Sequence, residues 1–361
     1  MSKLVRKNIA SMEGYSWGEQ PKNNTNLIKL NTNENPYPPS PLVIQALQTL
    51  HADELIRTYP DPLADELRAE VAKLNQVTDK NIVITNGGDE GLRLSLTTFV
   101  DPGENVCFAD PSYSLYPVLA AIQDASIKPI AYSEGWEIPE AFSKEINSHN
   151  AKMSYLVNPH APSGNFYSLD TLDKIAQSAP GILLIDEAYA DFIDPSLNYR
   201  SADLLKKHDN VLILRTFSKG YSLADLRLGY LMGSEALISP ITSKTRDSYN
   251  IGSIQQKLGV AAISDQEYSR KIWNQIRENR TYLRKSLTAL GLNSHPSQSN
   301  FILAEIDSQK VDAHSLYLSL KEEQIFVRYF QNELLKNKLR ITVGTEEQNE
   351  SLIKAIERIT Q

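Results

Sequence analysis

From about residue 80 the chain alternates short unbroken apolar runs with longer stretches in which apolar residues recur every three or four positions. The runs are Ile82-Val83-Ile84, Val106-Cys107-Phe108, Tyr155-Leu156-Val157, Ile182-Leu183-Leu184-Ile185, Val211-Leu212-Ile213-Leu214 and residues 228–232. Runs of this length predict strands buried on both faces, and their alternation with helices predicts an α/β fold whose mainly parallel sheet is wrapped by helices. In such sheets ligands bind beyond the carboxyl ends of the strands. The first forty residues are different: polar and broken by Asn and Pro (Asn31-Thr32-Asn33-Glu34-Asn35-Pro36-Tyr37-Pro38-Pro39), they read as an extended arm. Ser40 and Pro41 then have the form of an N-cap and first helical position, predicting a helix that buries Val43, Ile44, Leu47 and Leu50. Asp61-Pro62 repeats the start signal, with Leu63, Leu67, Val71 and Leu74 on one face of a helix over 63–75. After about residue 250 a long helical pattern (Ile272, Ile276, Leu283, Leu287, Leu290, closed by Gly291) precedes strands at 300–304 and 339–343. The expected organisation is an arm (1–40), a large α/β domain (41–250) and a smaller α+β domain (251–361), with no internal repeat.

Composition narrows the function classes. With 361 residues, 41% hydrophobic and 22% charged, the chain is long enough for a large core, and a net charge of -7 argues against a nucleic-acid footprint. Cys107 is the single cysteine, which excludes an intramolecular disulfide and a cysteine-based zinc site and fits a reducing cytoplasm. The start Met1-Ser2-Lys3-Leu4-Val5-Arg6-Lys7 is followed by no apolar stretch long enough for a signal sequence, and no later segment approaches a membrane span, so a cytoplasmic protein is expected. The six histidines lack the i, i+4 spacing of a helical metal pair, and no metal is expected.

Three predicted strands deliver a polar group at the carboxyl end: Asn158, Asp186 and Ser218-Lys219. By the strand-end rule these converge, and together they are what a pyridine-aldehyde cofactor needs. A lysine amine condenses with the aldehyde, an aspartate keeps the ring nitrogen protonated so that the ring becomes an electron sink, and an asparagine bonds the ring hydroxyl. Thr85-Asn86-Gly87-Gly88-Asp89-Glu90-Gly91 lies between a strand and a helical pattern, where backbone amides can hold a phosphate, with Ser218 and Arg227 as further donors. Singly, each has a plainer reading: a surface lysine, a capping aspartate, a tight turn at Gly-Gly. Their joint appearance in one topological order carries the argument.

These segments resemble the class I/II aminotransferases of the aspartate-aminotransferase fold, and within them the histidinol-phosphate aminotransferase branch. Carrying the resemblance are Leu30-Asn31-Thr32-Asn33-Glu34-Asn35-Pro36, Arg57-Thr58-Tyr59-Pro60-Asp61, Asn158-Pro159-His160-Ala161-Pro162-Ser163-Gly164, Asp186-Glu187-Ala188-Tyr189 and Arg215-Thr216-Phe217-Ser218-Lys219. The resemblance implies pyridoxal 5'-phosphate as cofactor, Lys219 as Schiff-base lysine and proton shuttle, Asp186 on the ring nitrogen, and Asn158 and Tyr189 on the ring hydroxyl. It implies Tyr113 stacking on the ring, a core or interface tyrosine being the plainer alternative, and Gly88, Asp89, Ser218 and Arg227 around the phosphate. Tyr59 resembles a residue that reaches the cofactor phosphate of a neighbouring subunit, which implies a homodimer with shared active sites. Arg340 resembles the arginine that grips the substrate α-carboxylate, where a planar fork suits a planar anion; a solvent-facing arginine also fits the alternation there. Arg328 resembles a second substrate arginine, and Tyr15 and Asn35 are arm residues on the substrate side. The implied reaction is amino transfer between glutamate/2-oxoglutarate and histidinol phosphate/imidazole-acetol phosphate, in histidine biosynthesis. Ser163, Pro38, and Tyr221 with Asp225 depart from the branch pattern. The same signature serves aminotransferases for other amino acids and threonine-phosphate decarboxylase-like enzymes, and a degenerate, non-catalytic binding protein is the remaining alternative.

Overall fold

The computed structural model describes residues 4–21, 27–132, 135–138, 141–306 and 311–360. Met1-Ser2-Lys3, part of the amino-terminal stretch that shows no signal sequence, lies outside the described residues. The arm contributes β1 (Ile28–Lys29). The large sheet is built from β2 (Ile82–Thr85), β3 (Asn105–Asp110), β4 (Ser126–Ala131), β5 (Met153–Val157), β6 (Ile182–Asp186), β7 (Val211–Thr216) and β8 (Gly229–Gly233). Their spatial order is β2-β8-β7-β6-β5-β3-β4. All neighbouring pairs run parallel except those of β8, which is antiparallel to both β2 and β7.

Alternate residues of one strand point to opposite faces, and here both faces are covered. Ile84, Leu156, Leu183, Ile185 and Ile213 belong to one apolar cluster, while Val83, Tyr155, Leu184, Leu212 and Leu214 belong to another on the opposite face. The apolar runs are unbroken because neither face meets water. Each such fully buried aliphatic side chain stabilises the fold by about 1.5–3 kcal/mol. Strand β4 had no such run to announce it: it is an edge strand, mostly half-buried, and tolerates Pro129 because one side of an edge needs no donor.

The second sheet contains β9 (Leu292–Ser294), β10 (Phe301–Ile306), β12 (Arg328–Tyr329) and β13 (Lys338–Thr342), in the antiparallel order β12-β13-β10-β9. Between them in sequence, β11 (Ile325–Phe326) pairs in parallel with β1, so the arm is tied to this second sheet's neighbourhood. The helix Gln266–Ala289 ends where Gly291 takes a left-handed φ of +84, the expected stop, and Leu283 and Leu287 from it join Leu316, Leu320, Leu352 and Ile356 in a separate apolar cluster.

Two local expectations are corrected. Ser40 does cap the helix Pro41–Gln48, its Oγ accepting from the Leu42 N–H at 3.1 Å. That helix buries Val43 alone, however, leaving Ile44 40% and Leu47 51% exposed and Leu50 half-buried. It packs on the helix Ser253–Ser264 through one narrow face, and Leu42, Ile44 and Leu47 elsewhere on it are exposed. The next helix begins at Asp65 rather than 63, because Asp61 accepts from the N–H groups of Leu63 (3.0 Å) and Asp65 (2.6 Å), closing a turn through a left-handed Ala64 first. Helix Ser253–Ser264 packs against the helices Pro41–Gln48 and Asp65–Asn75 and places Leu258, Ala262 and Ile263 in the large core. The chain just past residue 250 thus still serves the large sheet. Among the described residues no helix is long and apolar enough to cross a membrane.

Candidate functional site

Parallel pairing brings the ends of β5, β6 and β7 side by side: Val157 is in register with Asp186, and Asp186 with Leu214. Beyond the strands the pairing continues, the Asn158 N–H donating to the Asp186 carbonyl (2.8 Å) and the Glu187 N–H to that of Leu214 (2.9 Å). Asp186 is buried, its Oδ2 accepting from the Tyr116 hydroxyl (2.7 Å) and its Oδ1 from the Ala188 N–H (3.1 Å). Burial pushes its carboxyl up to about 6, the two donors pull it down, and Asp89 and Glu187 add to the rise. Tyr116 escaped the sequence argument because a tyrosine in the apolar helix Leu115–Ile122 reads as core.

The Lys219 amine donates to the Thr32 carbonyl at 3.0 Å. Burial is the main cause that lowers it to about 8, and the guanidinium groups of Arg340 and Arg227 lower it further against Glu34 and Asp89. The arm residues 31–35 lie across this lysine. Arg340 donates to the Asn31 carbonyl (3.0 Å), Asn33 Nδ2 donates to the Tyr189 hydroxyl (3.0 Å), and Asn35 Nδ2 donates to the carbonyls of Lys219 (3.1 Å) and Gly220 (3.4 Å). Asn35, expected on the substrate side, thus has its amide on the lysine's own backbone.

Arg340, on β13, lies over the rings of Phe301 (5.4 Å) and Phe330 (5.5 Å), and Arg328, on β12, over Phe330 (5.4 Å). The Arg340 Nε is buried with no hydrogen-bond partner among the described residues. A buried donor without an acceptor is costly, and two guanidinium groups flanking one phenyl ring make a seat for an anion that would satisfy it.

The helix Gly87–Phe99 opens beside Arg227: a Cβ on Gly87, whose φ is +73, would fall 2.7 Å from the Arg227 Nη2, so only glycine lets the guanidinium lie against that turn. Arg227 pairs with Asp89 (3.0 Å), and Asp89 accepts from the Tyr113 hydroxyl (3.1 Å). Tyr113 meets Tyr15 and Tyr116 edge-on, with centroids 5.9 and 5.6 Å away. Gly88 follows in the same first turn, packed on Leu214. Ser218 is buried, its Oγ accepting from the Thr216 hydroxyl at 2.9 Å. Asn158 is fully buried with both ends of its amide on the Tyr167 backbone (3.0 and 2.9 Å), and its side chain also hydrogen-bonds the Tyr199 hydroxyl. Tyr59 is not gathered here: it is 80% exposed and stacks on Tyr249 at 4.5 Å.

Behind the lysine lies an ionic group that sequence reasoning missed. Arg215 bridges Glu187 (3.0 Å) and Asp191 (2.6 Å), both buried, and the Tyr199 hydroxyl donates to Glu187 at 2.5 Å. Asp191 lies so close to Gly220 that a Cβ there would sit 2.1 Å from its Oδ2, while the Trp273 Nε1 donates to the Gly220 carbonyl at 2.8 Å. A charged residue, Arg215, within an otherwise apolar strand was the available signal.

The aminotransferase class I and II family pattern matches residues 25–356. The chain is 40% identical over 356 residues to histidinol-phosphate aminotransferase 1 of Trichormus variabilis, covering 99% of each chain, and 40% identical over 357 residues to the histidinol-phosphate aminotransferase of Rippkaea orientalis, covering 98% of each. The crystal structure of histidinol-phosphate aminotransferase from Sinorhizobium meliloti in complex with pyridoxal-5'-phosphate superimposes with a TM-score of 0.91 at 23% identity, covering 100% of this chain and 98% of that one, which establishes the shared fold. With the family matched over nearly its whole length, the chain belongs to the class I and II aminotransferases and is a pyridoxal-phosphate-dependent transaminase.

Proposed function

We propose that this transaminase exchanges the amino group of glutamate with imidazole-acetol phosphate, forming histidinol phosphate and 2-oxoglutarate, and the reverse, as a step of histidine biosynthesis. The observation that carries the reading is the full-length 40% identity to proteins of that name, and the seat at Arg340 and Arg328 suits it, since every substrate in the pair is an anion.

The residues present fit the cofactor. A half-buried lysine amine donates to a carbonyl, a buried carboxyl ends β6 in register with Val157 and Leu214, and glycines with an arginine open a helix amino end. In this reading Lys219 holds the cofactor, Asp186 meets its ring nitrogen, Asn158 and Tyr189 its ring hydroxyl, and Tyr113 its face. The amides of Gly88 and Asp89, with Ser218 and Arg227, hold its phosphate. When bound, pyridoxal phosphate supplies an electron sink for charge developing at the substrate α carbon. The chain's own part is to orient and to move protons. Arg340 grips the α-carboxylate through its planar fork, Arg328 and Tyr15 meet the rest of the substrate, and the Lys219 Nζ, lowered to about 8, takes and returns the α proton.

A lysine lowered to about 8 has a pH signature. The nucleophile is the free amine, so the rate at which cofactor-free protein captures pyridoxal phosphate rises as pH climbs towards about 8 and levels above it. A stopped-flow series in absorbance checks this; a rate that kept climbing to the range of an ordinary lysine would contradict it.

Included in the proposal are a homodimer with shared active sites, in which Tyr59 reaches the partner's cofactor phosphate, and a cytoplasmic location, where a lone thiol such as Cys107 stays reduced. Supporting the dimer, Leu42, Ile44, Leu47 and Ile56 are exposed apolar side chains, and Tyr59 is exposed with its ring stacked on Tyr249. Light scattering should return twice the chain mass; a fully active monomer would end this part of the proposal. The division into an arm, a large and a small domain also belongs here, with helix Ser253–Ser264 assigned to the large domain by its packing.

The substrate reading is tested by the absorbance of the protein loaded with pyridoxal phosphate, before and after glutamate and histidinol phosphate in separate cuvettes. Bleaching of the yellow band by both amines is expected. Bleaching by glutamate alone would discard histidinol phosphate as substrate and leave the transaminase.

A further inference from the structure

Asn33 contributes a side chain, rather than a carbonyl, to the site. It is buried, with φ +56, a left-handed conformation that asparagine tolerates better than most residues. Its backbone N–H donates to the Thr342 Oγ1 (3.0 Å), and its carbonyl accepts from the Asn300 Nδ2 (3.0 Å). The Thr342 hydroxyl, already an acceptor from that N–H, has its own hydrogen to give, and it gives it to the Asn33 Oδ1 at 3.2 Å. This contact settles the amide's orientation: Oδ1 faces Thr342 and Nδ2 faces the Tyr189 hydroxyl at 3.0 Å. An amide nitrogen only donates, so the phenol oxygen of Tyr189 is the acceptor in this bond and its hydrogen must point elsewhere. The ring cannot turn away, being held edge-on against Phe301 with centroids 5.0 Å apart. The charged and titratable groups around the phenol are Arg340 from β13, Asp186 from β6 and Tyr15 from the arm.

We propose that Asn33 is a positioning residue that sets the direction of the Tyr189 hydroxyl, occupying its oxygen so that its hydrogen is presented to the ring hydroxyl oxygen of the bound cofactor. The inference rests on the cofactor reading above and extends it to a residue of the arm that does not itself touch cofactor or substrate. It also gives the left-handed turn at Asn33 a purpose, since that turn places the amide between β13 and the segment after β6.

The test is Asn33→Asp, which keeps the size and the left-handed turn but replaces the donor by a carboxylate oxygen. That oxygen would accept the phenol's hydrogen, reversing the bond and withdrawing the hydrogen from the cofactor. A donor to the ring oxygen weakens its hold on the proton it shares with the lysine-bound nitrogen. Its loss should therefore raise the pH midpoint of the loaded protein's yellow band, by about one unit. In a Tyr189→Phe background the same substitution should move the midpoint far less, because there is no hydroxyl to turn. An equal shift in both backgrounds would mean that the added charge acts directly, and an unmoved midpoint would mean that Asn33 does not govern Tyr189; either overturns the inference. Asn33→Gly, uncharged and at ease at φ +56, gives a second measurement, with a smaller upward shift expected and an unmoved midpoint again overturning it. If the unsubstituted protein formed no band, the cofactor reading itself would fall and this inference with it, a failure distinct from a normal band with an unmoved midpoint.

Discussion

Lys219→Ala lowers the rate of the glutamate half-reaction by about 10^4-fold, the upper end of what a positioned proton-transfer group contributes. The amine it removes is half-buried, donates to the Thr32 carbonyl, and is lowered to about 8 mainly by desolvation. Tyr189, the nearby phenol, is raised by burial and so is a poor substitute for the amine as a proton acceptor. The proposed phosphate cradle of Gly88, Asp89, Ser218 and Arg227 is untouched, so the variant should still bind the cofactor, non-covalently. Single-turnover absorbance with glutamate reads the effect. A small exogenous amine should restore part of the rate by entering the space that the side chain vacated. A variant that ran at the parent rate would remove Lys219 from the chemistry.

The second large effect is at Asp186, where Asp186→Asn keeps the shape and an oxygen for Tyr116 while deleting the charge. Turnover should fall by about 10^3-fold, as for loss of a preorganised electrostatic partner, with the cofactor still captured by Lys219. An unchanged rate would refute its pairing with the ring nitrogen. The same substitution has a stability signature in the cofactor-free protein. Burial raises the Asp186 carboxyl to about 6, above the ordinary value of 3.8, so the folded chain binds this proton more tightly than the unfolded one. The ionised side chain therefore costs stability once pH rises through about 6, and that cost vanishes below the ordinary carboxylate range. Asp186→Asn should accordingly melt higher than the parent above pH about 6 and equal to it near pH 4. Thermal melts at both ends of that window check the sign, and a variant less stable at neutral pH would contradict it.

The chemical groups Asn158, Asp186 and Lys219 were legible because each follows an apolar run, and parallel pairing has to bring consecutive strand ends together. What each group leans on was not. Tyr116 stands 70 residues from Asp186, and Thr32 stands 187 residues from Lys219, whose contact there is a backbone carbonyl that any residue type would present. The Arg215, Glu187 and Asp191 group carried a faint signal, a charge inside a strand, without indication of its partners.

By itself the sequence determined what depends on near neighbours along the chain: strands where apolar residues run unbroken, the Ser40 cap with Pro41, the glycine stop at Gly291, and the order in which chemical groups meet the sheet. Backbone dihedrals and burial period are local properties, so residue type alone settles them. Tertiary structure alone decided that the arm lies over the lysine, that Ile44 and Leu47 face outward, that β4 is an edge, and that Asn33 meets Tyr189 across 156 residues. Those outcomes depend on which surfaces pack together, a competition among contacts distant in sequence that local residue preference leaves open.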